Sequence, residues 1–148
     1  MFRHILVSTD GSKLAAKGVS VATRLAKSLK ARMSAVYVYP PYVPPTYGEA
    51  AVYVPEITPR RYKEMCEKDA RKVLDRVVAA AKSAGVRCNS IAVMDDRVWQ
   101  AILRTAKSGG CDAVVMSSHG RSELAGLLLG SETTKVLAHS KIPVLVCR

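Results

Sequence analysis

The sequence predicts an α/β fold built on an open parallel sheet, and two observations carry this prediction. Short apolar runs alternate with amphipathic stretches of helical period along the whole chain, which is typical of parallel strands joined by helical crossovers. Runs such as 5–7 and 113–116 are apolar at every position, as expected of strands buried on both faces. Right-handed crossovers make a five-stranded, doubly wound, Rossmann-like sheet with helices on both faces the simplest topology. The 148 residues suit a single domain, 1–148, with its own core.

The individual elements are predicted from local patterns, taken in chain order. Apolar residues are continuous or alternate in the predicted strands, which are residues 3–7, 32–39, 86–93, 111–116 and 142–147. Apolar residues recur at helical spacing in the predicted helices, which are residues 12–30, 60–84, 97–107 and 131–140. We expect Asp96 to cap the third helix and Gly85 to end the second. The lone tryptophan, Trp99, is expected to be partly buried at the start of the third helix.

Residues 40–59 are predicted to form a long irregular loop between the second strand and the second helix. Six of the chain's seven prolines fall in this stretch. Proline fixes φ and removes an amide donor, so neither a helix nor a central strand is expected here. Loops of this length are usually functional or mobile. The sequence leaves open whether this one covers a ligand or lies in a subunit contact.

Composition and charge exclude several classes of function. The formal net charge of +11 would attract nucleic acid, acidic membrane or nucleotide alike. The few aromatic residues are not interleaved with basic segments, so no specific nucleic-acid binding is expected. No apolar run approaches the ~18 residues of a membrane span. The first residues lack a basic region followed by a signal-peptide core and cleavage site, so no signal peptide is expected. We therefore expect a cytoplasmic protein with no membrane partner.

The four cysteines and three histidines do not have the spacing of a zinc site. Cys111 and Cys147 stand at the edges of apolar runs, so buried free thiols are expected. No metal ligands are assigned from the sequence.

The residue pattern from Met116 to Ser131 predicts a strand end, a long loop and the start of a helix. The first N–H groups of a helix have no intrahelical partner and can bind phosphate. Gly120 and Gly130 let the backbone approach such a ligand closely. Ser131 would either cap the helix or offer its hydroxyl to phosphate. On spacing alone, an ordinary loop followed by an N-cap is the favoured interpretation.

The stretch from Met116 to Ser131 as a whole is more specific than the spacing of its glycines. It resembles the nucleotide loop of the universal stress protein family, Gly-x2-Gly-x9-Gly-Ser/Thr. Gly120, Gly130 and Ser131 match the motif, and Ser117 stands where the motif has its first glycine. Residues 5–12 resemble the family's first strand and turn, and residues 142–146 resemble its last strand. The resemblance thus covers nearly the whole chain. It implies strand order 3-2-1-4-5, frequent dimers and, in members with the glycine motif, ATP binding, with or without Mg²⁺.

In that strand order, the turn at Asp10 and the loop at 117–131 meet at the switch point of the sheet, where open α/β folds bind ligands. Asp10 itself would form an Asx-turn, contact the nucleotide, or do both. The resemblance implies that adenosine lies between Asp10, Val38 and the edge at 116–117. Phosphates would lie against the loop amides, with Arg121 or His119 adding charge. The implied site comprises Ser8, Thr9, Asp10, Val38, Met116, Ser117, His119, Gly120, Arg121, Gly130, Ser131, Glu132 and Thr133.

Three departures from the motif bear on this site. Ser117 carries a side chain that would crowd the ribose or demand a strained φ. Glu123 and Glu132 would place carboxylates near the phosphates and repel a triphosphate. The alternative function is therefore a nucleotide-free dimeric interaction module of the same fold.

The remaining expectations concern assembly and catalysis. The apolar last strand, 142–146, would be an exposed sheet edge and is a natural seam for a homodimer. The Gly-Lys-Ser/Thr phosphate loop of the familiar nucleotide hydrolases is missing, and no catalytic pair can be argued from spacing. We expect slow nucleotide hydrolysis at most, and a regulatory role in the stress response.

Overall fold

The computed structural model describes residues 1–44, 57–120 and 129–148. Its strands are β1 (His4–Ser8), β2 (Arg32–Tyr39), β3 (Cys88–Met94), β4 (Ala113–Ser117) and β5 (Val144–Cys147). Its helices are α1 (Lys13–Leu29), α2 (Pro59–Ser83), α3 (Val98–Ser108) and α4 (Ser131–His139). Strands and helices alternate throughout these ranges, so the predicted α/β class is confirmed.

The five strands form one parallel sheet in the order β3-β2-β1-β4-β5. This confirms the predicted order. β1 lies at the centre, where Ile5 is paired with Met33 of β2 on one side and with Ala113 of β4 on the other. The carboxyl ends of β1 and β4 are therefore neighbours, and β3 and β5 form the two edges of the sheet.

Alternate residues of each strand contribute to cores on opposite faces of the sheet. Ile5 and Val7 of β1 pack in one core with residues of α1 and α2, such as Leu74. Leu6 packs in the other core with Ile102 of α3 and Val136 of α4. Since a strand's side chains point alternately to its two faces, this division puts α1 and α2 on one face and α3 and α4 on the other. The predicted cover of helices on both faces is confirmed.

Several predicted element boundaries are shifted, and each shift has a local cause. The third strand begins at Cys88 rather than at residue 86, because Gly85 takes a φ of +78° and the N–H of Val86 donates to the carbonyl of Ala81. Val86 is buried as part of this helix end. α2 begins at Pro59, where proline suits the first helical position, and Thr58 caps it.

The predicted cap of α3 is wrong. Asp96 does not cap the helix, because the N-cap residue is Arg97 and it makes no side-chain capping bond. The neighbouring Asp95 instead accepts a hydrogen bond from the N–H of Arg97 over 2.8 Å.

No helix in the described ranges is long and apolar enough to cross a membrane.

Candidate functional site

A cavity of about 600 Å³ lies at the carboxyl ends of β1, β2 and β4, where the strand order reverses. Such a switch point is where ligands bind in open α/β sheets. The residues that line the cavity are Ser8, Thr9, Asp10, Val36, Tyr37, Val38, Pro40, Val98, Ile102, Met116, Ser117, His119, Gly120, Ser131, Glu132 and Thr133.

The structure brings most of the predicted site residues together around this cavity. Gly130 is not part of the lining but immediately precedes Ser131, which is. Arg121 and Glu123 lie outside the described residues, as do residues 45–56 of the predicted loop. That the other predicted residues line one cavity is a fact of geometry, and their part in binding a ligand stays a prediction.

Asp10 forms the turn that joins β1 to α1. Its Oδ1 accepts a hydrogen bond from the N–H of Ser12 over 2.9 Å, which is the predicted Asx-turn. Ser12 in turn caps α1 by accepting from the N–H of Ala15. The other oxygen, Oδ2, faces Gly120 so closely that a Cβ on that glycine would lie 3.2 Å away. The turn after β1 and the loop after β4 are thus in close contact.

The end of β4 is ordered by a chain of local hydrogen bonds. The Ser117 hydroxyl donates to the carbonyl of His119 over 2.8 Å. The hydroxyl of Ser118 and Nδ1 of His119 lie 3.0 Å apart, while Nε2 is buried and has no hydrogen-bond partner among residues 1–44, 57–120 and 129–148. The expected backbone strain at Ser117 is wrong, because Lys30 is the only non-glycine residue with positive φ in the described ranges. The Ser117 side chain therefore fits the turn without strain.

α4 is anchored to the end of β4 through its first turn. The hydroxyl of Thr133 is buried and lies 3.1 Å and 3.2 Å from the carbonyls of Ser117 and Ser118. The N–H of Gly130 also donates to Ser118, over 2.7 Å. These bonds fix the helix N-terminus against the cavity.

Of the two roles expected for Ser131, it does not take that of the N-cap of α4. The N-cap is Gly130, with φ −71° and ψ 158°, and no side chain in the described part of the chain caps the helix. Ser131 is the first helical residue instead, and it lines the cavity. A helix start without a side-chain cap suits an anion, because the dipole and the first N–H groups favour negative charge there.

Glu132 has a structural role that the sequence did not predict. Its Oε2 accepts a hydrogen bond from the main-chain N–H of Trp99 over 2.8 Å, and its Oε1 lies 3.1 Å from Nζ of Lys135. The carboxylate therefore caps α3 from the neighbouring helix. Trp99 is partly buried, as predicted, and stacks on His139 with ring centroids 4.4 Å apart.

The described cavity lining carries two carboxylates, from Asp10 and Glu132, and no lysine or arginine. His119 is its one basic side chain among the described residues. A multiply charged anion at this site would therefore meet two like charges at close range, as the resemblance led us to expect for Glu132.

Several cavity-lining residues were not predicted from the sequence. They come from the end of β2 and from one face of α3, and are Val36, Tyr37, Pro40, Val98 and Ile102. The β2 residues had a signal, because β2 precedes β1 in the expected order and Val36 pairs with Ser8. The α3 residues had none, because their helix reaches the cavity only through packing against α4 and β2.

Comparison with known proteins identifies the family. The model of the universal stress protein family matches residues 1–148. The universal stress protein YxiE of Bacillus subtilis is 34% identical over 149 residues, with 100% of both chains covered. A universal stress protein of Thermus aquaticus is 33% identical over 148 residues, again with 100% of both chains covered.

Solved structures agree with this family. A universal stress protein family structure from Burkholderia pseudomallei matches with a TM-score of 0.74 and 26% identity, covering 97% of this chain and 93% of that one. A universal stress protein in complex with cAMP matches with a TM-score of 0.71 and 23% identity, covering 99% and 97%. One from Archaeoglobus fulgidus in complex with dAMP gives 0.73 and 16%, covering 99% and 98%. At these identities the last two show a shared fold alone, whereas the full-length match to the family model shows that this chain belongs to the universal stress protein family.

Proposed function

We propose that this chain binds adenine nucleotides, including ATP, in the cavity at the switch point and acts as a regulatory protein of the stress response. One observation carries the proposal: the Asx-turn of Asp10, the end of β4 and the start of α4 converge on a single cavity. Its volume of about 600 Å³ falls within the range of small-molecule sites. The family structures in complex with cAMP and dAMP support the choice of ligand class.

The two ends of the cavity suit the two ends of a nucleotide. Val38 of β2 and Val98 of α3, both half-buried, offer an apolar surface for the base. Phosphate would lie at the start of α4, where N–H groups and the helix dipole favour an anion. Asp10, between these regions, would accept a hydrogen bond from a ribose hydroxyl. With ATP, Mg²⁺ would offset the carboxylates of Asp10 and Glu132.

We further propose that the protein is a homodimer through β5. β5 is an edge strand, and Leu145 at its centre is 43% exposed. Apolar edge strands are prone to pair with another chain. A dimer through β5 would leave the nucleotide cavity open, because no β5 residue belongs to the described lining.

The decisive experiment combines native ligand analysis with calorimetry. Nucleotide released from freshly purified protein is identified by mass, and ATP and AMP are then titrated into wild type and Gly130→Val. The φ of Gly130 is open to any residue, so valine should obstruct the phosphate without straining the backbone. We expect weaker binding by the variant. Equal affinities, or no wild-type binding up to millimolar nucleotide with magnesium, would favour the nucleotide-free interaction module.

A further inference from the structure

A second cavity, of about 430 Å³, lies between α1 and α2 on the face of the sheet opposite α3 and α4. Of the residues that the structure describes, Thr9 alone lines both this cavity and the nucleotide cavity. Its lining comprises Thr9, Gly11, Ser12, Ala16, Val19, Ser20, Thr23, Arg24, Val73, Arg76, Val77 and Ala80. All of these residues belong to the described part of the chain.

The centre of this cavity is apolar. Val19 of α1 and Val77 of α2 are buried, and Val73 is half-buried beside them. The one buried hydroxyl on α1, that of Thr23, already donates to the carbonyl of Val19 over 2.8 Å. The centre therefore offers an apolar surface to a ligand, in a volume typical of small-molecule sites.

Two guanidinium groups, from Arg24 and Arg76, flank this apolar centre, and the lining that the structure describes holds no acidic residue. Among the described residues, neither arginine forms an ion pair. The surroundings are also positive, because α1 carries four basic and no acidic residues, and α2 carries eight basic and four acidic ones. These two helices thus contribute eight of the eleven net positive charges of the chain, so an anion is favoured here over a neutral or cationic ligand.

We propose that the cavity between α1 and α2 binds a small organic anion with an apolar body, of the class of the medium-chain carboxylates. The carboxylate would pair with Arg24 and Arg76, since guanidinium groups bind carboxylates with directed, charge-assisted hydrogen bonds. The apolar body would lie against Val19, Val73 and Val77 and remove them from water. A polyphosphate has no apolar body and would leave the surface of Val19, Val73 and Val77 without a partner. This site is distinct from the nucleotide cavity and does not depend on nucleotide binding.

Calorimetric titration of decanoate into the full chain tests the proposal, with decanol as the uncharged analogue. Arg24→Glu/Arg76→Glu reverses both cavity charges. Lys27→Glu/Lys72→Glu is the matched control, because it changes the net charge equally on the same helices at exposed positions outside the lining. We expect saturable one-to-one binding by wild type, a loss of about tenfold or more in the cavity variant, and nearly unchanged binding in the control.

A second pair of variants tests the apolar half without altering charge. Ser20→Phe would fill the cavity from an exposed position on its rim, whereas Ser28→Phe places the same ring on the same helix outside the lining. We expect Ser20→Phe to abolish decanoate binding and Ser28→Phe to leave it unchanged. Nucleotide affinity should stay unchanged in every variant. Absence of saturable decanoate binding, equal binding of decanol, or equal losses in a variant and its control would overturn the proposal. These outcomes leave the nucleotide proposal untouched.

Discussion

The side chain of Glu132, in the first turn of α4, accepts a hydrogen bond from the main-chain N–H of Trp99, in the first turn of α3. α3 has neither a side-chain cap of its own nor an acidic residue in its first turn. We therefore expect Glu132→Val to lower the free energy of unfolding by about 1 kcal/mol, the usual cost of a lost helix cap. Glu132→Gln retains an acceptor oxygen and should cost less. Chemical denaturation of both variants checks this, and equal stability of wild type and Glu132→Val would contradict the capping role.

The same carboxylate should also weaken the binding of nucleotides with several phosphates. A like charge at this partly exposed position costs about 1 kcal/mol, which is roughly five-fold in affinity. We expect Glu132→Gln to bind ATP about five-fold more tightly than wild type at low salt, with a smaller gain at high salt because salt screens the repulsion. AMP should gain less. ATP affinity that is unchanged at low salt would mean that the phosphates lie away from Glu132.

The contact between Gly120 and Asp10 gives a prediction that separates binding from stability. A Cβ at Gly120 would lie 3.2 Å from Oδ2 of Asp10, so Gly120→Ala must displace the carboxylate. We expect nucleotide affinity to fall about ten-fold, the worth of one charged hydrogen bond, with little change in Tm. Gly85→Ala is the control, since Gly85 has φ +78° and no atom within 4 Å of its Cβ position. It should cost about 1 kcal/mol of stability and leave affinity unchanged, and the reverse pattern would refute this assignment.

His4 should make stability depend on pH. Burial, with a smaller contribution from the charge of Arg32, lowers the pKa of His4 below its usual 6.5, and its Nε2 lies 2.8 Å from the hydroxyl of Ser34. As the pH falls below about 6.5, the unfolded chain takes up a proton that the folded chain resists, so stability decreases. We expect the free energy of unfolding of wild type to fall more steeply between pH 7 and 5 than that of His4→Gln. Parallel pH profiles would show that His4 does not titrate differently on folding.

The proposed dimer interface predicts different effects at the two edges of the sheet. Leu145 on β5 and Met94 on β3 are exposed to a similar extent, 43% and 47%. We expect Leu145→Lys to shift the mass measured by light scattering from dimer to monomer, while Met94→Lys leaves the dimer intact. A wild type that is monomeric at high micromolar concentration would exclude the dimer.

Sequence patterns sufficed for the fold because they reflect burial, which the sheet determines directly. Continuous apolar runs such as 5–7 are strands buried on both faces, and the structure contains them as such. Burial is not the same as strand structure, however. Val86 is apolar and buried, yet it belongs to the turn that ends α2. The start of β3 was therefore predicted two residues too early, at residue 86 rather than at Cys88.

The parts of the candidate site that lie within a single turn or loop could be predicted from the sequence. The contact between two helices could not. The turn at Asp10 and the loop after β4 each have a local signature, and the strand order brings them together. The capping of Trp99 by Glu132 joins residues far apart in sequence, and the local pattern wrongly favoured Asp96. Hydrogen bonds of this kind depend on how α3 and α4 pack, which no local signal records.

Backbone amide chemical shifts test most directly whether an adenine nucleotide binds in the switch-point cavity, because they locate the bound nucleotide on the chain. AMP is titrated into uniformly labelled protein, and the amides are followed individually. We expect the largest shifts at Thr9, Ser117 and Thr133 around the switch-point cavity, and negligible shifts at Gly85 and Gly110 at the opposite end of the sheet. Absence of shifts at millimolar AMP, or shifts concentrated away from the switch-point cavity, would contradict the central claim that this cavity binds an adenine nucleotide.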